Sequence, residues 1–163
     1  MDDRSDMTRS GPAGAGRESA RYDRDLYSWA VEQAALLRAG KIAEADALNI
    51  AEELDDVGNE QYEKLESALR IILLHLLKWD HQPKRRTRSW VSSILVQRKH
   101  VARVLRKNPG LKPRADEAVT EAYEVARIEA AAQTSLDPDT FPNDCPYSWD
   151  EIMEREIAWP DKD

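Results

Sequence analysis

Eight carboxylates fall between Ile42 and Glu63 (Glu44, Asp46, Glu52, Glu53, Asp55, Asp56, Glu60 and Glu63), with no Lys or Arg among them. In a helical chain such a run raises the question of a di-iron site, which needs inward-pointing Glu residues together with Glu-x-x-His from two helices. The residues three before His75, His81 and His100 are Ile72, Lys78 and Gln97, so the motif is absent. At ~100° per residue, Glu53, Asp56, Glu60 and Glu63 lie opposite the Ala51–Leu54–Gly58–Leu65 face. They read as a solvated outward stripe and not as a metal cage. His75 sits in the apolar run Ile71–Leu77, one turn before Trp79. It reads either as a neutral core histidine or as a general base held in a hydrophobic pocket, and the first is the commoner use. His81 stands near a helix end, where it complements the helix dipole. Cys145, the single cysteine, has acidic neighbours and nothing to activate a thiolate, so it reads as structural.

Phosphate-binding glycine loops, nucleophile elbows and His-Glu-x-x-His are all missing, so families that depend on them are poor candidates. Charge segregation is the feature that stands out. The window 84–114 holds eleven basic residues and no acid, +11 in a chain whose net charge is −7, which leaves −18 elsewhere. On the helix expected there, Arg88, Lys99, Arg103 and Arg106 gather opposite a Trp90–Ile94–Val101–Val104 stripe. A solvated face that balances acidic neighbours explains this without any partner; where there is one, few polar side chains stand by to read base edges, and an acidic protein surface, foreign or a second copy, ranks above nucleic acid. The outward Glu53–Asp56–Glu60–Glu63 stripe offers a second copy such a surface.

The elements that must position these residues are helices. Ala and Leu total 36 of 163 residues against 16 for Val and Ile. Apolar residues make up 41% and charged ones 34%, with mean hydropathy −0.71. A soluble, single-domain protein follows, with no membrane span, no signal peptide and cytoplasmic residence as the default. Residues 1–20 lack periodicity and read as a disordered tail ahead of one domain over 21–163. A first helix with Asp23 as its N-cap runs to Ala39, with Gly40 just past its end. A second runs from near Asp46 to Trp79 or Asp80, because its three–four apolar spacing survives Gly58; a kink at Gly58 is the competing reading. A connector with Pro83 precedes a third helix, capped by Thr87 or Ser89 and stopped by Asn108-Pro109-Gly110. Pro113 opens a fourth, which runs to about Gln133. Beyond it, a Pro- and Asp-rich segment with Phe141, Tyr147, Trp149 and Trp159 should wrap the bundle. Ser148-x-x-Glu151 would start a short helix there.

The order of these pieces resembles the bacterial domain-of-unknown-function family twenty-nine. The resemblance is carried by Leu73-Leu74-His75-Leu76-Leu77-Lys78-Trp79 followed by Arg88-Ser89-Trp90. Tyr22-Asp23, Leu36-Leu37-Arg38-Ala39-Gly40, Ala51-Glu52-Glu53-Leu54, Phe141-Pro142 and Cys145-Pro146-Tyr147 support it. It covers about residues 22–157 and implies an all-helical fold, with no activity, substrate or cofactor attached.

The expectation is an all-α, elongated four-helix bundle with an irregular C-terminal segment wrapped on it. Leu37, Leu54, Leu65, Leu69, Ile72, Leu76, Trp79, Trp90, Ile94 and Val101 should form its core. No catalytic, metal or cofactor residue is assigned. Arg85, Arg88, Lys99, Arg103 and Arg106, with Glu53, Asp56, Glu60 and Glu63, are the candidate interaction residues. His75, Trp79, His81 and Trp90 are a candidate structural or pocket cluster, and Arg88 should pack on a tryptophan or pair with Asp144 or Asp150. A non-enzymatic interaction protein leads; a nucleic-acid binder using 84–114 and an enzyme around His75 are the alternatives.

Overall fold

The computed structural model describes residues 21–161; the expected N-terminal tail lies outside them. The chain divides into two compact units, one ending at Val57 and the other beginning at Gly58. Among the described residues the fold is all-α, with no strand.

In the first unit, α1 spans Leu26–Arg38. Its N-cap is Asp25, two residues beyond the expected Asp23, and the Asp25 carboxylate accepts from Ser28 N at 3.0 Å. Gly40 follows in the left-handed region (φ +73), a conformation that glycine adopts without a Cβ penalty. After a 3-10 turn at Ile42–Glu44, α2 begins at Ala47 and continues to His81 as one helix of 35 residues. Two contacts fix the hairpin as antiparallel. Tyr22 Oη donates to Glu53 at 2.8 Å, and Gln33 Oε1 accepts the Asp46 backbone N–H at 2.8 Å. Within α1 only Trp29 and Gln33 are buried, and Tyr22 packs edge-on against Trp29. Leu37 and Leu54, expected in the core, are instead exposed at 41% and 66%. Their helical phase is as the spacing demanded; nothing in the hairpin lies over that phase. A methyl group added at Gly58, the next position on the Leu54 face, would meet nothing within 4 Å, so no backbone approaches there.

The second unit holds the core. α3 spans Arg88–Lys107 with Thr87 as N-cap, α4 spans Ala115–Thr134, and α5 spans Trp149–Glu154. Leu65, Leu69, Ile72, Leu73, Leu76 and Leu77 of α2 are fully buried with Val91, Ile94 and Val101 of α3. The alanines of α4 (Ala118, Ala122, Ala126, Ala130) complete the seam, small enough to let its backbone come close. Trp79 is buried, whereas Trp90 is only partly so. Gln61–Asn108 at one end and Lys78–Trp90 at the other make α3 antiparallel to α2. Tyr62–Glu121, Arg70–Glu129 and Lys78–Gln133 make α4 parallel to α2. The C-terminal segment packs on this unit through buried Phe141, Ile152 and Ile157. Tyr123 Oη bonds the Pro142 carbonyl at 2.7 Å, and Arg127 Nε bonds that of Phe141 at 3.1 Å.

Candidate functional site

The outer face of α3 concentrates exposed positive charge. Lys99, Arg103 and Arg106, at spacings of four and three, line a shallow depression of about 510 Å³ with Val96 and Ala102. Ion pairs elsewhere join Lys41 to Glu44, Lys64 to Glu60, Arg114 to Glu117 and Arg155 to Asp80. Among the described residues none reaches these three cations. Val96 is 56% exposed, so the face couples an apolar strip to cations that keep their full charge available.

Arg85 and Arg88 do not join that face. Arg85 is exposed in the 3-10 turn Pro83–Arg85. Its neighbour Arg86 lies on Trp79, with the guanidinium 4.5 Å above the ring centroid and Nε donating to the Trp79 carbonyl at 3.0 Å. Sequence spacing offered no way to choose between adjacent arginines in a connector. Arg88 packs on a tryptophan, as expected, and that tryptophan is Trp159, 4.7 Å from centroid to guanidinium, with a bond to the Pro160 carbonyl at 3.1 Å. Neither Asp144 nor Asp150 pairs with it. His81, Trp79 and Trp90 each take a different partner, Trp79 the Arg86 guanidinium. His81 packs on Phe141 at 4.7 Å and bonds the Leu77 carbonyl, while Trp90 lies under the Lys78 ammonium at 4.6 Å.

The four acids are divided. Glu53 accepts from Tyr22, whose pKa that bond, helped by Glu52, Glu53 and Asp56, pushes up to about 12. Asp56 is exposed. Glu60 pairs with Lys64 at 2.6 Å, and both, with Glu63 and His100, line a groove between α2 and α3. His75 is half-buried, and its Nδ1 bonds the Ile71 carbonyl at 2.8 Å. Burial is the main influence lowering its pKa, with Lys78 adding to it, so the ring is neutral at pH 7. No carboxylate, hydroxyl or thiol hydrogen-bonds it among the described residues, so a base–nucleophile arrangement is not in place there. The Cys145 thiol is pushed up by burial and contacts the Tyr147 carbonyl at 3.7 Å. Among the described residues no group of three His, Cys, Asp or Glu could hold a metal ion. No helix of these residues is long and apolar enough to cross a membrane.

With this arrangement in view, comparison with known proteins adds one finding. The family model described as "Domain of unknown function DUF29" matches residues 21–158. The chain belongs to the DUF29 family. Among curated proteins and among solved structures, none matches it.

This DUF29 chain also holds a charged network that its sequence did not announce. Arg98, buried within the basic window, donates to the carbonyls of Ile152 (2.7 Å), Arg155 (2.7 Å) and Glu151 (3.2 Å). These are the unpaired carbonyls at the C-terminus of α5, where a cation is doubly favoured. Asp80 takes a bidentate pair from Arg155 (2.7 and 2.9 Å) and a bond from Tyr147 Oη at 2.9 Å. A signal existed for Arg98 alone: it follows Val91 and Ile94 by seven and four residues, on the core side of α3.

Proposed function

We propose that this DUF29 protein acts by binding another protein, and that the outer face of α3 meets an acidic surface. The observation that carries the reading is the row Lys99–Arg103–Arg106 beside exposed Val96, with no carboxylate paired to it among the described residues. Cations that balanced the chain's own acids would be expected to sit in ion pairs, as Lys64 and Arg155 do. An exposed valine among them adds contact area of the kind that protein interfaces use and phosphate backbones do not.

The test is capture of partners from the native cell with wild-type protein and with a Lys99→Glu/Arg103→Glu double variant, alongside gel shift with generic DNA and RNA. Loss of an acidic protein partner in the variant, with unchanged helicity, supports the reading. A nucleic acid that binds at micromolar concentration and is lost in the same variant would replace it. A partner set identical in wild type and variant would remove α3 from the function altogether.

A further inference from the structure

The exposed side of α3 repeats one shape along its axis. Lys99, Ala102, Arg103 and Arg106 stand at i, i+3, i+4 and i+7, the four positions that surround a single hole on a helix surface. Together with Val96 they line the depression of about 510 Å³. Ser92, Leu95, Val96 and Lys99 repeat the same spacings seven residues earlier. Leu95 and Val96 are 36% and 56% exposed, and the other members of both sets are exposed as well. The two holes share Lys99 and lie one heptad apart, ~10.5 Å at ~1.5 Å per residue. They differ in chemistry. Leu95 and Val96 wall the first, whereas three cations ring the second around the small side chain of Ala102.

Two holes at this interval select the shape of what fills them. Side chains on one face of a helix recur every seven residues at the same ~10.5 Å. Same-side residues of an extended strand recur every ~6.7 Å and cannot seat in both. A phosphate backbone would meet the cations but has no use for the Leu95–Val96 hole. The net negative charge of the rest of the chain also opposes a free polyanion at long range. We infer that the occupant of this face is one amphipathic helix of the acidic protein partner, lying along α3. It seats an apolar side chain in the Leu95–Val96 hole. Seven residues away it seats a glutamate in the second hole, where Lys99, Arg103 and Arg106 surround the carboxylate. The inference rests on the reading that α3 meets an acidic protein surface, and it names the form of that surface. Two helices in contact over two heptads bury less than a standard interface, so micromolar binding is expected.

Fluorescence anisotropy of the full chain with a labelled synthetic peptide tests it. The peptide is an alanine-based helix of about three heptads, long enough to be helical in isolation. It carries leucine and glutamate seven residues apart on one face, with further glutamates flanking the first. A Kd of about 10–100 µM is expected, and a shuffled peptide of the same composition should bind about tenfold more weakly or worse. Ala102→Leu alters no charge and exchanges one good helix former for another at an exposed position. It fills the second hole, however, and should weaken the patterned peptide by about tenfold or more. Equal affinity for patterned and shuffled peptides overturns the inference, as does binding indifferent to Ala102→Leu or no binding at all. Self-association of the chain that Ala102→Leu abolishes would seat a second copy on the face. Generic DNA bound more tightly than the peptide would seat a phosphate backbone there, and either result overturns the inference. Ala102→Leu leaves Lys99, Arg103 and Arg106 in place, so the helix can fail this test while loss of an acidic partner in Lys99→Glu/Arg103→Glu still stands; the two failures are separately visible.

Discussion

Arg98 closes three carbonyls at the end of α5 with one guanidinium, and its fork geometry is what allows it. Arg98→Ala would leave those acceptors without partners under a half-buried lid, at a cost of about 2–4 kcal/mol in the urea unfolding free energy. Arg98→Lys should recover less than half of that, since a compact ammonium does not span three acceptors; full recovery would show that charge alone matters. The Asp80 carboxyl makes the matching case for pH. Burial pushes its pKa up, but the bonds from Arg155 and Tyr147 and the Arg155 charge outweigh burial and hold it below the ordinary carboxylate range. Its contribution is therefore present above the unfolded value of ~4 and lost as pH falls through the lower folded value. Asp80→Asn should lower stability at pH 7 and flatten the acid limb of a stability–pH profile; a parallel limb would refute the role. His75 has the opposite chemistry but the same slope. Its folded pKa lies below the unfolded ~6.5, so the unfolded chain takes up the proton first and stability falls as pH drops below ~6.5. His75→Gln should remove that part of the slope, measured between pH 7.5 and 5.

Helix boundaries were legible because their signals are local. Thr87 and the reciprocal Ser148–Glu151 box occupy the caps that their residue types favour, and Gly40 takes the positive φ that its position requires. Ser148→Ala should cost about 1 kcal/mol by thermal melting, and Glu151→Gln rather less, because a neutral amide still reaches the Ser148 backbone N–H. What an element covers was less legible. Spacing fixes the phase of Leu37 and Leu54 but not whether anything stands opposite, which depends on contacts far along the chain. Charge hides position in the same way. Arg98 looked like one of eleven solvated cations, and only its place behind Val91 and Ile94 separated it from Lys99 one residue on. The space around Gly58 is open. Gly58→Ala should raise helix stability by about 0.5–1 kcal/mol, whereas close approach would have made it destabilising.

Across the molecule, burial is uneven. The second unit contains the whole of the fully buried leucine and alanine seam, while α1 buries one tryptophan and one glutamine. Amides of 26–57 should accordingly exchange with solvent well ahead of those of 65–77; equal protection would contradict this difference in burial. The same contrast explains why the candidate surfaces were only partly readable. The basic window was visible as composition, but its division into a free face (Lys99, Arg103, Arg106) and architectural clamps (Arg86, Arg88, Arg98) is decided by Trp79 of α2 and by an aromatic ring and carbonyls of the C-terminal segment. That segment also carries the chain's single thiol, half-buried against the Tyr147 carbonyl and held protonated by burial. A disulfide reagent should therefore label native protein far more slowly than unfolded chain, at a pace governed by how often the segment lifts away. Cys145 is in effect a clock on that lifting, read by the absorbance of the group the reagent releases, and Arg98→Ala should make it run faster.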